Sequence, residues 1–329
     1  MKTNNLALRL LKSAVKTAIL PLLVYAIFAI LTNGRSATSR MMMNTVRQSI
    51  VPMLVCWGLM LTMSMSMMNF SAGAAMLCSG IIGGNLANLT NTGLWGLLLF
   101  CVLMGIVIGM AIGLLYNKLR VPCIVLTIGL MLFFEALPRL FFSSGVRTTG
   151  NMVMLSMAPN CYWVGAIMLV VFYVLYEGTA FGHNIRALGA SPVISANVGL
   201  DADRMKFKAF TLAGLFFGMA GALYVAGQGE VRNVSTMGSM LTMMDGLMGM
   251  FLAMFISSFC KLPIAVAVSA FTMKMMSNGF VALVMDATVR DLANGVFLLI
   301  LLTISANSGL FERIKADRKF REAALQSRT

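Results

Sequence analysis

EGTAFGHNIRALGASPVISANVGLDADRMKFK, running from Glu177 to Lys208, is an island of polar, helix-punctuated sequence in a chain that is otherwise oily. Inside it, Ser191-Pro192 followed by Gly199 predicts one short helix, with Ser as N-cap, Pro pre-set at the first helical position and Gly as the left-handed stop. A helix of about two turns does not persist alone in water. It needs a surface to dock against, and the sequence on either side decides what that surface can be.

That flanking sequence is apolar. Of 329 residues, 59% are hydrophobic and 11% charged, against about 25% charged in soluble domains. A soluble chain of this balance would expose far too much apolar surface. The fold class is therefore all-α, a polytopic integral membrane protein. A window of about 20 apolar residues, the length of a spanning helix, finds about ten transmembrane helices: Thr17 to Thr32, Ser49 to Met67, Phe70 to Leu89, Leu94 to Tyr116, Pro122 to Phe142, Trp163 to Leu175, Phe207 to Val225, Gly246 to Cys260, Leu262 to Leu283 and Leu292 to Ala306. The second and third are separated by almost nothing.

Basic residues orient the spans. With the N-terminus cytoplasmic, the inner segments hold 17 Lys and Arg and the outer ones seven: Arg35, Arg40, Arg47, Arg139, Arg147, Arg232 and Arg290. Both termini are thus expected in the cytoplasm, and the quoted island becomes the longest internal cytoplasmic segment. Residues 1–16 read as a cytoplasmic amphipathic segment, with Ala7, Leu10, Leu11 and Ala14 on one face and Arg9, Lys12 and Lys16 on the other, suited to an anionic leaflet. No cleavable signal peptide is expected there. Residues 17–306 form the transmembrane domain, with 178–206 as its cytoplasmic segment, and 307–329 a basic cytoplasmic tail. The net charge of +14 is accounted for by orientation in the bilayer, so nucleic acid is not an expected partner.

Enzymatic constellations are missing. The dipeptide Gly-Lys never occurs, so there is no GxxxxGK[ST] phosphate loop, and HExxH and the nucleophile elbow are absent as well. If this chain moves anything uphill with ATP, the ATPase is another chain, and no cofactor is expected in this one. The six cysteines are widely spaced beside a single histidine, His183, which indicates neither a disulfide framework nor a metal site. The 31 methionines read as adaptable packing. Gly105, Gly109 and Gly113, with Gly214 and Gly218, form GxxxG ladders for close helix packing.

Charges inside spans are by default functional candidates. Glu135 and Arg139 share a helical face, so a local ion pair near the outer interface is expected, with a place on a polar pathway as the alternative. Lys274 either snorkels or pairs with Asp245 or Asp286. Between the second and third spans, Met68-Asn69-Phe70-Ser71-Ala72-Gly73 is a polar break at membrane depth, tolerated only against protein or water. It reads either as a broken helix or as a tight turn. Asn69, Ser71, Gly73 and Glu135 are the candidate pathway residues.

From Val46 to Ala306 the chain resembles the inner-membrane permease subunits of bacterial ABC importers of the ribose and branched-chain amino acid type. Leu115-Tyr116-Asn117-Lys118-Leu119-Arg120-Val121-Pro122, with Leu126-Thr127-Ile128-Gly129, is similar to the family's "AKLRVPxFIxTLG" block. Thr179, Phe181-Gly182, Ile185, Ala187, Gly189, Ala196 and Gly199-Leu200 are similar to its cytoplasmic "TxFGxxIxAxGxxxxxAxxxGI" segment. The departures are specific. Asn69 stands where "GGIDLSVGS" has its acidic residue, Glu135 stands where Arg often follows "TLG", and Asp245 to Lys261 lacks the "GGTSLSGG" stretch.

The resemblance implies a multi-pass permease of the bacterial inner membrane without its own ATPase site. Its partners would be two ABC ATPase subunits, an extracytoplasmic solute-binding protein and a second permease copy or paralogue. The segment holding Thr179 to Leu200, with Ser191 and Pro192, would be the coupling helix. A monosaccharide is the expected solute; a nucleoside, an autoinducer-type sugar and a branched-chain amino acid stay open. A secondary transporter would instead need an intramembrane Asp/Glu/His relay, for which Glu135 is the one clear candidate, and a non-transporting scaffold would show no ATPase coupling.

Overall fold

The structure, a computed structural model, describes residues 2–32, 38–258, 260–283 and 286–306; the expected tail at 307–329 lies outside the described residues. Each expected span falls on a helix. These are α1 (Lys2–Leu31), α2 (Ser39–Met63), α3 (Ala72–Leu89), α4 (Gly93–Leu119), α5 (Cys123–Phe141) and α6 (Asn160–Tyr173), the last running on into a wider π-turn (Val174–Gly178). Two short helices follow, α7 (Ala180–Ala190) and α8 (Pro192–Asn197), and then α9 (Ala202–Gln228), α10 (Ser239–Ile256), α11 (Leu262–Ala282) and α12 (Ala287–Ala306). Among the described residues eight of these helices are long and apolar enough to cross a bilayer, beside the shorter apolar stretch Thr17–Leu31. The chain is an all-α polytopic membrane protein.

α2, α3 and α9 form the interior, and α4, α5 and α6 present broad apolar faces outward, with Trp95, Phe133 and Trp163 exposed. α4 and α9 approach closely through the glycine ladders: a Cβ at Gly105 would overlap the Gly214 carbonyl, and one at Gly109 the Phe210 carbonyl. In a bilayer, where lipid is as apolar as a leucine, such backbone approach replaces the hydrophobic drive for association. At the centre, Trp57 stacks on Phe172 at 5.5 Å, and Phe172 stacks on Tyr176 at 5.5 Å. The Trp57 indole donates to the Pro263 carbonyl at 3.3 Å.

The loops sort into two ends, as alternating spans require. At one end Ser64 Oγ lies 3.0 Å from Tyr176 Oη, Asn117 donates to the Asp203 carbonyl at 2.8 Å and Lys261 to Tyr173 Oη at 2.7 Å. At the other, Asn88 donates to the Arg147 carbonyl and Asn233 to that of Phe142. This second end also carries a two-stranded ribbon, β1 (Val146–Arg147) antiparallel to β2 (Glu230–Val231), in segments too short for the sequence to signal. The second and third spans, expected to be separated by almost nothing, are joined by a longer irregular stretch, residues 64–71. α2 stops at Met63 and α3 starts at Ala72, and Ser66 between them has φ of 59°.

Candidate functional site

Two places gather the residues the sequence singled out. The first is the short-helix segment at the end that carries Lys261 and Ser64. Thr179 Oγ1 accepts from the Gly182 N–H and donates to the Leu175 carbonyl at 2.6 Å, so one hydroxyl closes the π-turn and opens α7. Ser191 Oγ accepts from the Ile194 N–H, Pro192 begins α8, and Gly199 takes φ of 85°. The Leu200 N–H then bonds back to the Ser195 carbonyl. Asp201 caps α9 by accepting from Arg204 N–H.

The motif positions of this segment are its foundation rather than its outer face. Ile185 is buried, Gly182 lies against the Tyr176 carbonyl, and Gly189 lies so close to the Ser64 carbonyl that a Cβ would overlap it. Phe181 packs on the core, whereas Ala187 is exposed; the Ala196 side chain lies outside the described residues. Arg186 fastens α7 to the bundle: it pairs with Glu177 at 3.4 Å, donates to the Tyr176 carbonyl at 3.3 Å and stands 4.9 Å from the Tyr176 ring. Nearby, the Tyr173 hydroxyl raises the pKa of Lys261 above its ordinary value through their hydrogen bond, which keeps the ammonium charged. The outward surface belongs to residues the motif did not single out. Val193, Ile194 and Val198 are 72%, 65% and 77% exposed, an apolar face on a polar internal segment. Their alternation with Ser191, Ser195 and Asn197 was the signal available in the sequence.

The second place is a junction of α3, α5 and α10. Glu135 lies 12 residues into α5, about 18 Å along its axis at 1.5 Å per residue. It is six residues, about 9 Å, from the other end of the helix, so it lies inside a hydrocarbon layer about 30 Å thick but nearer that end. Its carboxylate is 5% exposed and accepts from the Met237 N–H at 3.1 Å and the Ser239 N–H at 2.8 Å. Glu135 therefore caps the N-terminus of α10, where a negative charge is favoured by the helix dipole and the free N–H groups. The expected Glu135–Arg139 ion pair is not formed: Arg139 lies on the surface with Ser143, Ser144 and Arg232. A buried carboxylate at this depth needs donors that stay out of water, and an exposed guanidinium one turn away is a poorer partner than two backbone amides. The cap also holds an unusual turn, since Thr236 and Met237 have φ of 57° and 64°, a region that non-glycine residues seldom occupy.

The broken segment meets this cap. Asn69 Oδ1 accepts from the Ser71 N–H and hydroxyl at the start of α3, Phe70 N–H donates to Thr127 of α5 at 3.2 Å, and Gly73 packs against the Ser239 carbonyl. All four candidate residues, Asn69, Ser71, Gly73 and Glu135, are buried in one neighbourhood. Asn69 Nδ2 and Ser239 Oγ, also buried there, have no hydrogen-bond partner among the described residues. Ser239 was missed by sequence reasoning, although a serine ahead of an apolar run is a helix-start signal.

Irregular backbone and helix N-termini that meet inside a bundle of apolar helices are features of membrane transporters. The chain belongs to the family described as branched-chain amino acid transport system / permease component, whose model matches residues 41–305. It is similar to the autoinducer 2 import system permease protein LsrC of Yersinia pseudotuberculosis serotype O:1b (strain IP 31758), 26% identical over 165 residues, which is 48% of this chain and 46% of that protein. The LsrC protein of Yersinia pestis (strain Pestoides F) matches to the same extent. The match spans about half the length of these curated relatives. No solved structure matches the chain.

Proposed function

We propose that this chain is the membrane-spanning subunit of an ATP-binding cassette importer, that it has no ATPase site of its own, and that α8 is the helix through which two ATPase subunits act on it. The observation that carries this reading is the exposed Val193, Ile194 and Val198 on a segment whose Gly182 and Gly189 are packed tightly against Tyr176 and Ser64. A water-exposed apolar face on a capped helix is stable in a cell when a partner covers it, and its rigid footing suits it to passing on a push. The absent phosphate loop in the sequence agrees with an external ATPase.

The solute is a small sugar-like molecule, a monosaccharide or an autoinducer-type sugar, in keeping with the similarity to LsrC proteins. An extracytoplasmic binding protein delivers it, and a second permease copy or paralogue completes the pathway, with Asn69, Ser71, Gly73 and Glu135 near its course. The family description favours one other cargo on the same machinery, a branched-chain amino acid. Replacing Val193, Ile194 and Val198 together with Ser tests the coupling. The variant is expected to insert in the membrane at the normal level yet lose ATPase subunits on co-purification. Retained association at the wild-type ratio would remove α8 from the interface. Uptake by the unaltered chain should stop on ATP depletion and persist when ion gradients are collapsed, the opposite of a secondary transporter.

A further inference from the structure

On the far side of α10 from the junction lies a cavity of about 670 Å³, set among α2, α6, α9, α10 and α11. That volume is in the range of small-molecule sites, about 300–1,000 Å³. Its polar lining comes from Arg47, Gln48, Tyr224, Gln228, Asp245 and Lys274. Asp245 and Lys274 form an ion pair, which settles the partner of the intramembrane lysine in favour of Asp245 over Asp286. Lys274 is 12 residues from the start of α11 and Asp245 11 from the end of α10, so both sit about 17–18 Å from the cytoplasmic end and about 9–12 Å from the other. Their side chains are 23% and 44% exposed. A charge pair part-exposed between the two membrane faces is costly against lipid, and a cavity wide enough to admit water lowers that cost.

We propose that this cavity is a solute-binding vestibule within the single chain, and that it takes a small polyhydroxylated molecule of the monosaccharide class. The inference rests on the transport reading above and deepens it. The pair is already neutralised internally, so it offers strong acceptors and donors to hydroxyl groups without presenting separated charges. The surrounding amides of Gln48 and Gln228 and the phenol of Tyr224 add neutral hydrogen-bonding groups of the kind that orient hydroxyls. The helix α10 is then a wall between two polar places, with Ser239 and Met243 toward α3 and Thr242 and Asp245 toward the cavity.

The test labels Thr242→Cys, in a Cys161→Ala background, with a small membrane-impermeant thiol reagent added outside cells that express the full chain. Labelling is expected, and millimolar D-ribose is expected to slow it at least five-fold while L-leucine leaves it unchanged. Adding Asp245→Asn with Lys274→Gln, which keeps the site polar and leaves no orphan charge, should raise the half-protecting ribose concentration about ten-fold, as loss of a charged hydrogen bond does. Absent labelling, protection by neither solute, or protection by leucine instead of ribose overturns the proposal, the last by giving the cavity to a zwitterion. ATP-dependent ribose uptake in the chain's native cells, which supply its ATPase and binding protein, separates the two levels: uptake without protection removes the vestibule alone, and protection without ATP-dependent uptake removes the transport reading.

Discussion

Replacing Glu135 with Ala asks whether a buried carboxylate holds the start of α10. The substitution strands the buried N–H of Ser239 and the part-buried N–H of Met237, at up to about 1–3 kcal/mol each. It also takes a negative charge from a helix N-terminus, another ~0.3–1 kcal/mol. The sum is a loss of about 4 kcal/mol. Glu135→Gln keeps one acceptor but turns an amide donor toward the second N–H, so about half of that loss is expected. Arg139→Ala removes an exposed side chain and should stay within about 0.5 kcal/mol. Thermal unfolding in detergent, followed by the fluorescence of Trp57 in its aromatic column, reads all three. At about 2–4 °C per kcal/mol for a chain of this order of size, the Ala variant should melt about 10 °C lower, Gln about 5 °C lower, and Arg139→Ala with the wild type. An Ala variant melting with the wild type, or Arg139→Ala falling as far as Glu135→Ala, would refute the cap and restore the ion pair.

Two further substitutions probe the footing of α8. Gly189→Val forces a side chain into the Ser64 carbonyl and should cost about 1–3 kcal/mol, seen as a lower melting temperature, whereas Val at the exposed Ala190 next to it should be neutral; equal behaviour would dismiss the close contact. Arg186→Gln removes the Glu177 ion pair and the contact with the Tyr176 ring while leaving Val193, Ile194 and Val198 in place. ATPase subunits should still co-purify but ATP-driven uptake should fall several-fold, and an unchanged uptake rate would show that α7 transmits nothing through Arg186.

The spans and the short helix were legible because each is signalled locally, by twenty apolar residues in a row or by a Ser-Pro start and a Gly stop. Contacts between distant segments were not. The glycines of α4 and α9 each announce a close approach, yet neither motif says which helix comes close. Glu135 found its partners 102 and 104 residues away, while periodicity offers only neighbours within a turn or so, which is why Arg139 was the natural candidate. For Lys274 the sequence supplied both Asp245 and Asp286, and only packing could choose. The family-like positions of the island were legible as a pattern, but the pattern marks where α7 is held. The exposed surface of the segment is carried by apolar residues between those positions, Val193, Ile194 and Val198.

The Glu135 cap also has a consequence for the order in which the protein is made. α5 enters the bilayer with its carboxylate about 100 residues before the amides of Met237 and Ser239 exist. During that interval the glutamate has no native partner in the nascent chain. α5 is therefore expected to wait beside the insertion machinery until α10 is delivered. Truncations ending between α9 and α10 should leave α5 poorly retained in the membrane, and the arrival of α10 is the step that commits the first half of the molecule to its place.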